Sequence, residues 1–144
     1  MTHEDAGHYA AKHPENTKLN PKIEAAVKRK SDNGVITCAA AHTVADELNM
    51  PPAQVGVAID LMEYRIAKCQ MGMYGYDTGK PITVPEKDRS PELEEALLEA
   101  APDKRITCKA CWELAEKMGV GKLKLARTCE VLKIKIRPCQ LGAF

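Results

Sequence analysis

Apolar and polar residues follow two rhythms along this chain, and the rhythm changes at recognisable punctuation. Ala40, Ala41, Val44, Ala45 and Leu48 recur at helical spacing, which predicts an amphipathic helix with one buried face. Thr37, just ahead of it, is a residue type that caps helix N-termini. Upstream, NPKIE at 20–24 supplies a capping Asn20, then a proline in the first turn, where its missing N–H is no loss. Glu24 follows where the helix dipole favours a carboxylate. This first helix is predicted to run to about residue 30 and to end in the polar turn SDNG. The second breaks at NMPP, and a third is predicted over 52–63. After it, YRIAKCQMGMYGY reads as strand-like, and Ile36 ahead of Thr37 is enough for a short β-bridge.

The same order then recurs. ITCAAAHTVADELNM at 36–50 returns as ITCKACWELAEKMGV at 106–120, a fixed offset of 70 that runs without a gap from Asn20/Ser90 to Tyr74/Phe144. Identities include Pro21/Pro91, Glu24/Glu94, Cys38/Cys108, Ala45/Ala115, Ile66/Ile136, Cys69/Cys139, Gln70/Gln140 and Gly72/Gly142. Other pairs exchange one apolar residue for another, such as Val44/Leu114, Val55/Leu125 and Leu61/Val131. The second copy opens on SPELE, turns at APDKR, breaks its second helix at GVGK and predicts a third helix over 122–133. It then alternates apolar and basic residues in IKIRPCQL, the pattern of a half-buried strand. A gapless register of this length points to duplication of one structural unit, and two copies are too few for a solenoid.

Three helices followed by a strand, with a tight turn between the last two helices, resemble the winged helix-turn-helix superfamily. Ala45, Asn49 and Val55 carry the resemblance in copy one, and Ala115, Gly119 and Leu125 in copy two. A small residue lets the third helix approach the second, Gly or Asn tolerates a left-handed turn, and a branched apolar residue locks the angle. Copy two fits better through Gly119. In copy one, YGYDTGKPITVP reads as turn residues followed by a short strand at 82–84, a candidate wing. Copy two ends at Phe144, so its strand is expected either to pair without that partner or to borrow one from copy one. The expected fold class is mainly α with small β elements. It comprises a polar arm at 1–19, winged-helix-like repeats at 20–84 and 90–144, and a linker at 85–89.

Charge changes the picture more than composition does. The net charge is +1, which excludes a uniformly basic nucleic-acid binder. Residues 91–103 carry five acidic and no basic side chains, whereas 104–144 carry ten basic and three acidic, a local excess of +7. Such asymmetry fits a polyanion surface or, more blandly, a solvated polar face. The resemblance implies that the third helix enters the major groove. In copy two this helix and its flank hold Lys122, Lys124, Arg127, Lys133, Lys135 and Arg137 against Glu130, and six phosphate contacts would give a marked salt dependence. Copy one offers only Gln54 and Arg65 against Asp60 and Glu63, so copy two leads.

Six cysteines with no export signal are expected to be reduced. Cys38/Cys108 and Cys69/Cys139 are equivalent pairs, Cys111 forms a CxxC with Cys108, and His42 stands one turn from Cys38. Cys38, Cys69, Cys108, Cys111 and Cys139 are therefore thiol candidates for metal ligation or a redox switch. The competing reading is burial as small hydrophobes, which also suits Cys129, and no paired CxxC motifs mark a structural zinc site. Trp112 is expected in the core of copy two. The arm, with His3, His8 and His13, is expected to be mobile.

No phosphate loop, GxSxG or HExxH is present. The expected protein is therefore not an enzyme and needs no cofactor. The leading expectation is a cytoplasmic DNA-binding transcriptional regulator acting on double-stranded DNA through helix three of copy two. The alternative is a non-enzymatic protein-interaction or regulatory scaffold with a thiol-based metal or redox site. A homodimer is compatible with either, and no apolar run approaches the ~18 residues of a membrane span.

Overall fold

Four helices begin where a side chain caps the backbone. In the computed structural model, which describes residues 8–72 and 86–142, Asn20 Oδ1 accepts from Lys22 N at 2.9 Å and opens α1 (Pro21–Lys30). Thr37 Oγ1 accepts from Ala40 N at 3.0 Å and opens α2 (Cys38–Glu47). Ser90 and Thr107 do the same for α4 (Pro91–Ala100) and α5 (Cys108–Met118). The remaining helices are α3 (Pro52–Leu61) and α6 (Lys122–Leu132). Four short strands complete the described fold: β1 (Val35–Thr37), β2 (Arg65–Ala67), β3 (Arg105–Ile106) and β4 (Lys135–Ile136). The protein is mainly helical, as expected. Each of the five elements from α1 to β2 starts 70 positions before its counterpart among α4 to β4.

The turn between the second and third helices takes the shape its residues allow. Asn49 has φ 52° and Gly119 φ 67°, both left-handed. Met50 N and Val120 N reach back to the carbonyls of Ala45 and Ala115, so the freed helix-end acceptors are satisfied. Ala45 and Val55 are buried in one core, and Ala115 and Leu125 in the other. The strands pair in parallel, Ile36 with Ile66 and Ile106 with Ile136, each joining the start of a half's second helix to the end of its third. The strand after α6 thus pairs with β3 of its own half, and among the described residues no strand of the first half joins it. The candidate wing at 82–84 lies outside the described residues.

The polar arm is docked along part of its length. A 3-10 helix, Tyr9–Lys12, lies on α3 with Tyr9 buried. Glu63 accepts the backbone amides of Tyr9 and Ala10 at 2.9 and 2.8 Å. Asp60, only 1% exposed, meets His13 at 2.7 Å and Lys12 at 3.2 Å. A mobile arm was the expectation from its polarity. These carboxylates hold residues 9–13 instead.

Two apolar cores form, and neither is closed by its own half. Leu141, from the tail beyond β4, is buried in the core of the first half among Ile23, Val44, Val55 and Ile59. Cys69 and Met71, from the tail beyond β2, are buried in the core of the second half with Leu93, Leu97 and Leu125. The two tails make the same turn, Gly72 N to Cys69 O at 3.0 Å and Gly142 N to Cys139 O at 3.1 Å. Gly56 in α3 marks the closeness of the fit: a Cβ there would run into the carbonyl of Leu141. Gly56→Ala is expected to cost about 1–3 kcal/mol through overpacking, which lowers the thermal midpoint by roughly 4 °C or more. A midpoint equal to that of the parent would show that the tail is not seated on α3.

Candidate functional site: a basic ribbon and a ring of thiols

The six basic candidates divide into two groups. Lys122 sits at the start of α6 with its Nζ 4.5 Å from the centroid of the Trp112 ring, a cation–π contact. Lys124 Nζ lies 3.4 Å from Asp88, just upstream of α4. Arg127 is half-buried: its Nε has no partner among the described residues, and its carbonyl accepts from Glu86 N at 3.2 Å. The chain's own contacts therefore engage the side chains of Lys122 and Lys124, and Arg127 is partly withdrawn by burial. Lys133, Lys135 and Arg137 are exposed, because Ile134 and Ile136 between them turn inward.

Two further cations join the open group. Arg105 is the direct strand partner of Lys135, and Lys104 Nζ reaches the carbonyl of Leu132 at 3.2 Å from the turn before β3. Both are exposed. The basic excess of residues 104–144 signalled them, but without strand register nothing placed them beside Lys135. The result is a two-stranded ribbon with Lys104, Arg105, Lys133, Lys135 and Arg137, none of which forms a salt bridge among the described residues. The corresponding surface of the first half has Val35 opposite Arg65, and its Glu63 is taken by the arm.

The thiols lie where the two halves meet. Cys38 and Cys108 are the first residues of α2 and α5. Parallel pairing of Thr37 with Ala67 carries Cys69 past the start of α2 within the first half. Pro138 O accepts from Cys108 N at 3.1 Å, which holds Cys139 at the start of α5. Cys69 then packs into the second core, and Cys139 packs against the first. Cys38 lies in the electrostatic field of Cys69, Cys139 and Cys108, and Cys108 in that of Cys139 and Cys69. Burial pushes the Cys38 thiol up to about 12 and the Cys108 thiol to about 11, eased at each by hydrogen bonds from Gln70 and Gln140 respectively.

Cys111 does not belong to this set. Its thiol bonds to that of Cys129 inside the second core, and both are buried. The CxxC spacing with Cys108 is thus a coincidence of helix geometry: one thiol faces the junction and the other the core. No disulfide links any of the six. Among the described residues, no three Cys, His, Asp or Glu side chains are arranged to hold a single metal ion.

One helical turn further along α2 and α5, the His42 and Trp112 rings meet across the junction with centroids 4.3 Å apart and planes tilted by 40°. They occupy equivalent positions in the two halves, 70 residues apart, so α2 and α5 face each other with approximate twofold reciprocity. Trp112 touches both cores rather than filling one. His42 is thereby a junction residue, not a partner of the Cys38 thiol.

Compared with known proteins, the chain matches no family model, no curated sequence and no solved structure. Among the described residues, no helix is long and apolar enough to cross a membrane.

Burial holds the His42 pKa below its ordinary value of 6.5, opposed by Asp46 and reinforced by Lys122. The native state therefore binds fewer protons here than the unfolded chain, and stability present above the unfolded pKa falls as pH drops through the folded one. Thermal midpoints measured from neutral pH downward are expected to decline below about pH 6.5. His42→Phe keeps a ring against Trp112 and is expected to make the decline shallower. Parallel pH profiles for parent and variant would rule out His42 as a contributor.

Proposed function

We propose that this protein is a non-enzymatic DNA-binding regulator built from two fused winged-helix-like units, with the second unit as its contact surface. The observation that carries the reading is the ribbon of β3 and β4, where five cations stand in solvent without acidic partners among the described residues. A rigid row of Lys and Arg suits phosphates spaced along a duplex, and release of condensed counterions supplies affinity. The helix-turn-helix reading is supported by the left-handed residues at 49 and 119 and by the small-to-branched packing of Ala45 with Val55 and Ala115 with Leu125.

The division among the basic residues shifts the emphasis from helix three to the ribbon after it. Lys122 and Lys124 meet partners within the chain and Arg127 is half-buried, whereas Lys133, Lys135 and Arg137 are open to a ligand. The first unit serves as scaffold. Its α3 is covered by the arm, and its buried Asp60 corresponds to the exposed Glu130 of α6. The reciprocal junction does within one chain what a homodimer of single units does between two.

A second reading, a protein-interaction scaffold, draws on the modest net charge of +1 and the covered α3. Duplex binding followed by anisotropy across a salt series separates the two. The parent chain is expected to bind mixed-sequence duplex at low salt. Replacing Lys133, Lys135 and Arg137 with Ala is expected to weaken binding at least about tenfold and to reduce the salt slope by about one for each phosphate no longer engaged. The Lys122/Lys124/Arg127 triple variant should show the smaller loss at matched fold content. Absence of binding by the parent at low salt favours the scaffold.

A further inference from the structure

Within each half, the positions that line the cores exchange apolar residues freely: Val44 for Leu114, Val55 for Leu125, Met71 for Leu141. Around the junction, Gly56 becomes Ala126, His42 becomes Trp112 and Lys68 becomes Pro138. Through all of this Cys38/Cys108, Cys69/Cys139 and Gln70/Gln140 stay the same. A small hydrophobe at the first turn of a helix does not have to carry sulfur, because Ala or Val fills similar space. Packing alone therefore leaves the fourfold retention of sulfur unexplained.

We propose that Cys38, Cys69, Cys108 and Cys139 together ligate a polynuclear iron–sulfur cluster at the junction of the two halves. Four thiols with no carboxylate or imidazole among them form a soft donor set, the kind that selects iron–sulfur clusters, zinc or cuprous ions. The absence of a single-ion site among the described residues selects from these. A single zinc ion draws four sulfurs to about 2.3 Å from one centre, and no such gathering occurs among the described residues. Cys111 and Cys129 pair with each other inside the second core, whereas Cys38 and Cys108 lie within the electrostatic reach of the other junction thiols. A cluster does not ask for that convergence, since each thiolate binds a different iron around an inorganic core.

The surroundings supply what such a core requires. Two helix N-termini point at it through Cys38 and Cys108, and their dipoles favour thiolate and a net negative cluster. N–H donors are aimed at the sulfurs: the amide of Gln70 at Cys38, Gln140 Nε2 at Cys108 at 3.7 Å, and Leu141 N at Cys139 at 3.4 Å. Such donors stabilise bound thiolates and tune their potential. A cavity of about 310 Å³ lined by Pro51, Pro52, Thr107, Pro138 and Cys139 opens on the least buried thiol and gives iron and sulfide a route in. On loading, four Sγ–H bonds are replaced by four Sγ–Fe bonds and four protons pass to solvent. Iron enters from outside as ferric ion, an added thiol reductant supplies the electrons that bring part of it to the ferrous state, inorganic sulfide enters without change of oxidation state, and the cysteines are not oxidised. The ligands come from both halves, so the cluster would clamp the junction, independently of any DNA contact.

The test uses the full chain, incubated without oxygen with iron salt, sodium sulfide and a thiol reductant, then desalted. Broad visible sulfur-to-iron charge-transfer absorption is expected, with iron and acid-labile sulfide retained in equal amounts and a raised thermal midpoint. C38S, C69S, C108S and C139S should each retain less than about a tenth of the parent's iron, whereas C129S should load as the parent does. Circular dichroism on each variant separates loss of a ligand from loss of the fold, and the parent's result decides the matter whatever the variants do. A parent chain that elutes without iron and sulfide overturns the proposal. So does one that takes up a single zinc or cobalt ion and no sulfide, or a folded C38S or C139S chain that keeps the full load.

Discussion

Each half of this protein depends on an apolar side chain that only the other half supplies. Leu141 and Met71 are both fully buried, each in the core opposite its own strand. Burying one such side chain stabilises a fold by about 1.5–3 kcal/mol, a large share for units this small, whose surface-to-volume ratio leaves them marginal alone. The exchange fixes much else. It sets α2 against α5, so that His42 meets Trp112, and it requires Gly56, because the incoming backbone runs where a Cβ would stand. It also brings the turn carrying Cys69 or Cys139 to a place it would not reach in a half that closed on itself.

Much of the local fold was legible in the sequence because its causes are local. Caps at Asn20, Thr37, Ser90 and Thr107, prolines in first turns, and left-handed Asn49 and Gly119 act within a few residues of where they are read. The offset of 70 supplied the element order twice. The exchange of tails was not legible. KCQMG and PCQLG carry the same kind of apolar residue whether it is buried at home or across the junction, and hydrophobic pattern reports burial without saying in which core. The parallel pairing of β3 with β4 was hidden for a similar reason, since alternation shows which face of a strand is buried and not which strand it pairs with.

The basic candidates show a different limit. Counting charges marked residues 104–144 as basic and did not separate cations that hold the structure from cations that face solvent. Lys122 is held by an aromatic ring and Lys124 by Asp88, partners set by tertiary contacts. Lys133, Lys135 and Arg137 are open because Ile134 and Ile136 alternate with them, a period-two pattern that the sequence did display. Pattern thus identified the open half of the set, while composition alone overcounted it. In the first half, Glu63 and Asp60 looked like residues that spoil a phosphate surface. Their role is to hold the arm.

The thiols combine both limits. Ligand sets that can be read from sequence sit on one turn or one hairpin, where CxxC spacing places two sulfurs side by side. Here the four matched cysteines are 31 or 39 residues from their neighbours in the chain, and only the strand register and the exchanged tails collect them. The one CxxC present misleads, because its second thiol turns toward Cys129. A set assembled by the junction is complete only when both halves are folded and docked. Any group bound by all four sulfurs therefore adds its binding energy to the contact between the halves, where two small cores already depend on each other.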